Sequence, residues 1–312
     1  MKSIVSIICV FFMTVIYAQH KKIEVKRVSK AVLYAGSLER VEKFPSKYIT
    51  PRNVDVWLPE NYDKTKKYSV LYMHDGQNLF DSTTTWNKQE WKVDDWISKL
   101  NKDQKIKDVI VVGIHSISDI RWQDLYPEKA NNYMPTKVRD SLYADAKKQG
   151  FNLNLKGDEY LKFMVKELKP FIDKNYATYK DQSNTFVAGS SMGGLMSMYA
   201  ICEYPEIFSG AVCFSTHWPG AQPIVDNPVG KAILAYLAGN VPDPKNHTFY
   251  FDYGTKTLDQ YYPPYAKKVD AIFNKVGYNT SNYKNLKFDG ADHSENSWNK
   301  RFDIPAKFLL HN

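Results

Sequence analysis

The stretch from Thr185 to Met198, reading Thr-Phe-Val-Ala-Gly-Ser-Ser-Met-Gly-Gly-Leu-Met-Ser-Met, constrains the fold more than any other part of the chain. Asn184 to Ala188 is a short β-prone run and helix formers begin at Leu195. Between them Gly189-Ser190-Ser191-Met192-Gly193 fits Gly-x-Ser-x-Gly. A strand that turns this sharply into a helix puts the middle serine at a strained backbone position. Residues without a Cβ are then needed two places before and two places after it, and Gly189 and Gly193 stand there. Such a turn lifts the Ser191 hydroxyl out of the sheet, exposes it to a base and aims N–H groups at the helix start toward developing negative charge. Ser191 is the candidate nucleophile.

The surrounding chain, 312 residues with 43% hydrophobic and 24% charged, is long enough for one large α/β domain and is not disordered in composition. Met1-Lys2 and the apolar run from Ile4 to Tyr17, with Ala18 before Gln19, have the charged start, short hydrophobic stretch and small terminal residue of a secretory signal. A leader over 1–18, a cut at Ala18/Gln19 and a secreted or periplasmic product over 19–312 are expected. The run is short for a membrane span, so no stable membrane insertion is expected once it is removed. Cys9 falls in the leader, leaving Cys202 and Cys213, too few for a disulfide framework and most simply small buried residues. The formal charge of +8 is spread along the chain rather than gathered into a stripe, so nucleic acid is not an expected partner.

From Lys21 the chain alternates between strand and helix patterns without repeats or a low-complexity linker. Val54–Leu58, Tyr68–Met73 and the fully apolar Asp108–Ile114 read as strands, and Trp91–Leu100 as a helix between the second and third. Tyr160–Lys174 reads as a helix before the serine strand. After the serine helix, strands follow at Ala211–Phe214, His247–Tyr253 and Asn285–Asp289, with a helix beginning in Thr257–Gly277. This order predicts one doubly wound α/β domain, a mostly parallel sheet with helices on both faces. Between 116 and 156 the periodicity weakens, which reads as an inserted loop or lid over the C-terminal edge of the sheet, where open α/β folds bind ligands.

His74-Asp75-Gly76-Gln77-Asn78 follows the second of these strands, where a second N–H donor to an oxyanion is expected. The Gln77 N–H is the candidate, partnered by that of Met192, with Gly76 letting the main chain pass close to substrate. Of the seven histidines, only His293 lies on a loop after the last strand, which makes it the candidate base; His74 precedes the serine and reads as structural. The acid should lie near the strand ending at Tyr253. Asp259 is the first choice, Asp252 the second and Glu295 the third.

Four motifs in order, Met73-His74-Asp75-Gly76-Gln77-Asn78-Leu79-Phe80-Asp81, Gly189-Ser190-Ser191-Met192-Gly193-Gly194, Phe251-Asp252-Tyr253-Gly254-Thr255 and Gly290-Ala291-Asp292-His293-Ser294-Glu295-Asn296-Ser297-Trp298, resemble the "Putative esterase" family of α/β hydrolases. That family includes esterase D, enterochelin-type siderophore esterases, and the acetylxylan and feruloyl esterases of carbohydrate esterase family 1. The resemblance runs from about Arg52 to the C-terminus. It implies an α/β-hydrolase fold and a serine esterase that uses no metal or cofactor. The chain departs from the pattern at Thr257, near which relatives often carry an acidic residue. Asp259 then substitutes, or a Ser–His pair works without an acid. Export and pocket-edge aromatics point to a small-molecule or oligosaccharide ester, acetyl or feruloyl on a plant-type polysaccharide, with Trp122, Trp218 and Trp298 as substrate contacts. A siderophore trilactone is the alternative and would want cations such as Arg121 or Lys256. S-formylglutathione hydrolysis fits badly with the leader. Acyl transfer to an alcohol, and a catalytically silent polysaccharide-binding relative, are the readings of other classes. The oligomeric state stays open.

Overall fold

Alternate residues of each central strand enter different hydrophobic cores, and this decides the architecture. The computed structural model describes residues 23–224 and 226–311; the expected leader and its cut at Ala18/Gln19 lie outside them. In β4 (Ser69–His74), Val70 and Tyr72 join one buried cluster and Leu71 and Met73 the other. In β5 (Val109–Ile114), Ile110, Val112 and Ile114 point one way and Val109 and Val111 the other. With a side-chain period of two, the clusters are the two faces of one sheet, and a strand buried on both must be apolar throughout.

The sheet has nine strands in the order β1-β2-β3-β5-β4-β6-β7-β8-β9. The remaining strands are β1 (Lys26–Arg27), β2 (Ser37–Phe44), β3 (Arg52–Leu58), β6 (Thr185–Ser190), β7 (Gly210–Phe214), β8 (Thr248–Tyr253) and β9 (Tyr283–Lys287). Pairing from β5 across to β9 is parallel, while β1, β2 and β3 join antiparallel at one side. The chain steps from β4 outward to β5 on one side and from β6 to β7 on the other. Its topological switch point therefore lies between β4 and β6, where loops diverge and leave a crevice.

Helix α1 (Val93–Lys102) follows β4, and the segment 116–156 carries α2 (Arg121–Asp124) and α3 (Thr136–Lys148). Helices α4 (Gly157–Lys162) and α5 (Lys169–Asn175), joined by a π-helical turn, precede β6. Then come α6 (Met192–Glu203), α7 (Pro228–Asn240), α8 (Pro263–Val276), α9 (Glu295–Asn299) and α10 (Asp303–Leu309). Side chains of α4 to α8 enter one core and those of α1 and α10 the other, so helices cover both faces. This is the α/β hydrolase arrangement expected from the sequence.

The segment 116–156 is largely helical rather than an open loop. Its longest helix, α3, has no buried residue and touches the body only through partly exposed side chains, Val138 against the core and Leu142 and Tyr143 at an apolar cavity. The helix expected from Thr257 is a 3-10 turn, Thr257–Tyr261, and α8 starts only where Pro263 supplies a first helical residue without an N–H.

Candidate active site

Strand β6 ends at Ser190 and α6 begins at Met192, so the turn between them is the single residue Ser191, at φ 58° and ψ −120°. This is a costly backbone conformation for a residue with a Cβ, and it persists only where the surroundings over-determine it. They do: the Ser191 N–H donates to Phe214 O at 2.9 Å, and its carbonyl accepts from the N–H groups of Leu195 and His217, both at 3.1 Å. A Cβ on Gly189 would lie 2.7 Å from the Gly193 carbonyl group, and one on Gly193 would press to 3.2 Å of His74 Cβ. Gly189 is thus required by the turn folding on itself, and Gly193 sits tightly against β4. Among the described residues the Ser191 hydroxyl makes no hydrogen bond.

The loop after β4 faces this turn. Asp75 is left-handed at φ 57°, and a short 3-10 turn, Gly76–Asn78, follows. A Cβ on Gly76 would fall 2.5 Å from the Gly113 carbonyl carbon. The glycine is needed for close approach to β5. The Gln77 amide is locked to Ser116, donating to its hydroxyl at 2.8 Å and accepting its N–H at 3.0 Å. Met192 opens α6, where the first N–H groups lack partners within the helix. Asp75 accepts both Nε and Nη2 of Arg121, at 2.6 and 2.7 Å. Burial alone would raise the Asp75 carboxyl, but the Arg121 guanidinium brings it below its ordinary value. Arg121 is therefore already committed to a carboxylate, against its expected use as a cation for a siderophore. His74 is buried, held neutral with its pKa lowered to about 4 by burial, and its Nδ1 meets the Tyr160 hydroxyl at 2.9 Å.

On the other side of the switch point, His293 Nδ1 lies 2.6 Å from Asp259 Oδ1. Asp259 is wholly buried, and its other oxygen accepts the Gly254 N–H and the Ser215 hydroxyl, both at 2.6 Å. The acceptor role of this carboxylate places the imidazole proton on Nδ1 and leaves Nε2 free as a base. Asp252 is engaged elsewhere: Arg301 Nε and Nη2 reach it at 2.8 and 2.9 Å, and the Ser215 N–H at 3.0 Å. Burial outweighs Arg301 and leaves its carboxyl raised. Glu295 accepts from Asn78 and Asn87 at 3.2 and 2.9 Å, and so ties the His293 loop to the loop after β4. The segment 214–217 joins the two halves of the site. Its Phe214 and His217 hold the Ser191 backbone, and its Ser215 touches Asp259. His217 itself is neutral, depressed to about 4 by burial, accepting from Tyr262 and donating to Ala221 O.

Two of the three tryptophans expected against substrate are packing residues. Trp218 is 4% exposed and lies on Phe251 with ring centroids 5.4 Å apart. Trp298, equally buried, sits between Trp91 and the edge of the His293 ring and donates its N–H to Ser215 at 2.9 Å. Each hides its apolar face where a pocket lining would expose it. Trp122 is half-buried, donates to Gly220 O at 2.8 Å, and lines an apolar cavity of about 140 Å³ with Tyr126, Leu142 and Val229. Ser215 and Arg301 were not foreseen. Each is a common residue in an unremarkable setting, and only the fold places them behind Asp259.

The family model described as "Putative esterase" matches residues 47–308. The chain is 25% identical over 224 residues to the uncharacterized protein YjcH of Bacillus subtilis, covering 72% of this chain and 75% of that one. It is 27% identical over 191 residues to an endo-1,4-beta-xylanase/feruloyl esterase of Xylanibacter ruminicola, covering 59% of this chain and 22% of that larger protein. In structure it resembles a ferulic acid esterase of the anaerobic fungus Anaeromyces mucronatus, with a TM-score of 0.61 at 18% identity, over 89% of this chain and 91% of the other. A likeness at that identity is one of fold. The match over most of the length, together with the serine turn and the histidine loop at one sheet edge, makes the chain a member of the "Putative esterase" family, a carboxylic ester hydrolase.

Proposed function

We propose that the protein is an exported serine esterase that removes acetyl or feruloyl groups from plant-type polysaccharide or oligosaccharide, with Ser191 as nucleophile, His293 as base and Asp259 as acid. The observation that carries the catalytic reading is the Asp259–His293 pair at 2.6 Å, joined through segment 214–217 to a serine held at φ 58°. His293 Nε2 takes the Ser191 proton as the oxygen attacks the ester carbonyl. The N–H groups of Gln77 and Met192 receive the oxyanion, and the protonated imidazole gives its proton to the departing alcohol. Water, deprotonated by the same nitrogen, then releases the acid. The saccharide ester is supported by the named feruloyl esterases among the relatives, and export by the leader-like run from Ile4 to Tyr17. Among the described residues no helix is long and apolar enough to cross a membrane.

The deciding experiment measures acetate and ferulate released from acetylated and feruloylated xylan, beside hydrolysis of a siderophore trilactone, by wild type and Ser191→Ala. Release from xylan that vanishes in the variant is the expected result and identifies the acyl group. Turnover of the trilactone alone would move the protein to siderophore hydrolysis, and glycan binding without turnover of any ester would sink the reading.

A further inference from the structure

Ser215 directly follows β7 in a left-handed conformation, φ 41°, with no exposed surface. Its hydroxyl has three neighbours: Trp298 Nε1 at 2.9 Å, Arg301 Nη2 at 3.1 Å and Asp259 Oδ2 at 2.6 Å. An indole N–H and a guanidinium can only donate. They therefore occupy the hydroxyl lone pairs, and its one proton has a single place to go, the Asp259 carboxylate. Arg301 is in turn fixed by both oxygens of Asp252, which also accepts the Ser215 N–H. The orientation of this proton is built into the fold.

We propose that Ser215 is a positioning residue of the catalytic site, resting on the reading of Ser191, His293 and Asp259 given above. Its hydroxyl and the Gly254 N–H saturate Oδ2, so that Oδ1 alone is presented to His293. The donated proton also draws charge from the carboxylate and moderates its hold on the imidazolium. Ser215 follows Phe214, whose carbonyl holds the Ser191 N–H, so one strand end aligns nucleophile and acid together. The other ionisable groups around the pair are engaged: Asp252 with Arg301, His217 with Tyr262, Glu295 with Asn78 and Asn87, and Arg121 with Asp75.

The test uses Ser215→Ala and Ser215→Gly in the full chain, because both delete the hydroxyl but only glycine relieves the left-handed backbone. On a short-chain aryl ester both should lose kcat/KM by on the order of ten- to a hundredfold, the worth of a hydrogen bond to a charged group. The loss should be similar in the two although the glycine variant melts higher. The acid limb of the pH profile should move to higher pH, since a carboxylate with one donor fewer holds the imidazolium proton more tightly. The far-downfield proton resonance of the His293–Asp259 hydrogen bond should shift in both variants. Activity that tracks melting temperature, with the acid limb and the proton resonance unmoved, would reduce Ser215 to a packing residue and leave the esterase reading intact. Absence of Ser191-dependent turnover in the wild type would overturn both.

Discussion

Asp252 and Asp259 are both buried acids near the end of β8, and their partners give them different roles. Asp259 faces an imidazole and N–H and O–H donors, whereas Asp252 faces a guanidinium locked into the interior. Replacing Asp259 by Asn should cost kcat well over tenfold, because the amide favours the wrong imidazole tautomer. Ser191→Ala and His293→Ala should each cost about 10⁴-fold or more. Replacing Asp252 by Asn strands the Arg301 charge, and an unpaired buried charge costs about 3–5 kcal/mol. That loss should appear in denaturant unfolding, and turnover of the remaining folded enzyme should persist. A silent Asp259→Asn together with an inactive, fully stable Asp252→Asn would reverse the two roles. At this scale the places of Ser191, on the strained turn between β6 and α6, and of His293, on the loop after β9, were legible because the one follows from a local glycine pattern and the other from chain order. The choice between the two aspartates rests on Arg301, some fifty residues away in sequence, and the burial of Trp218 and Trp298 rests on packing that no local pattern records.

Elements were legible where one physical cause dominates. β4, β5 and β6 are apolar because both faces are covered, and their limits shift by only a residue or two from those expected. β2 was missed because a bulge between Val41 and Phe44 breaks its alternation. Helix α7 was missed although Asn227 caps it, its side chain accepting from Val229 and Gly230 ahead of an apolar run. Helix α3 has no buried residue, whereas the base of its segment is tied down by Arg121–Asp75 and Arg52–Asp124. Limited trypsin digestion should therefore cut first at Arg139, Lys147 or Lys148, and a first cut elsewhere would contradict that contrast. Helix α1 carries a pH dependence of its own. Asp94 in its first turn accepts the Tyr34 N–H at 2.6 Å through one oxygen, while the other is buried without a partner. Burial raises this carboxyl to about 7. The folded state then holds a proton that the unfolded chain releases near 4, so stability is full below that value and falls as pH rises toward 7 and beyond. Asp94→Asn keeps the acceptor and removes the titration. Wild type should lose melting temperature relative to this variant between pH 5 and 8, and parallel curves would show that Asp94 does not titrate there.

At the scale of the whole molecule, the family match begins at residue 47, yet the sheet does not. β2 pairs along β3 and buries Leu38, Val41 and Phe44, and its Arg40 supplies the guanidinium facing the buried Asp55. The connection between β1 and β2 is fastened to the body by Asp81, which takes the Val32 N–H, and by the Trp57 N–H on Ala35 O. Burying an apolar side chain contributes about 1.5–3 kcal/mol. The three in β2 together are therefore of the same order as the roughly 5–15 kcal/mol by which a domain is stable at all. Removing β2 would also expose the ladder edge of β3, a row of unpaired N–H and C=O groups, two strands from β4, whose C-terminal loop enters the site. A chain begun at residue 23 should melt cooperatively, whereas one begun at residue 45 should aggregate or show no cooperative transition in calorimetry. Equal melting of the two would mean that the parallel strands from β5 to β9 suffice on their own. In that case β1 and β2 contribute nothing to holding the loops after β4 and β5 in register with the serine turn.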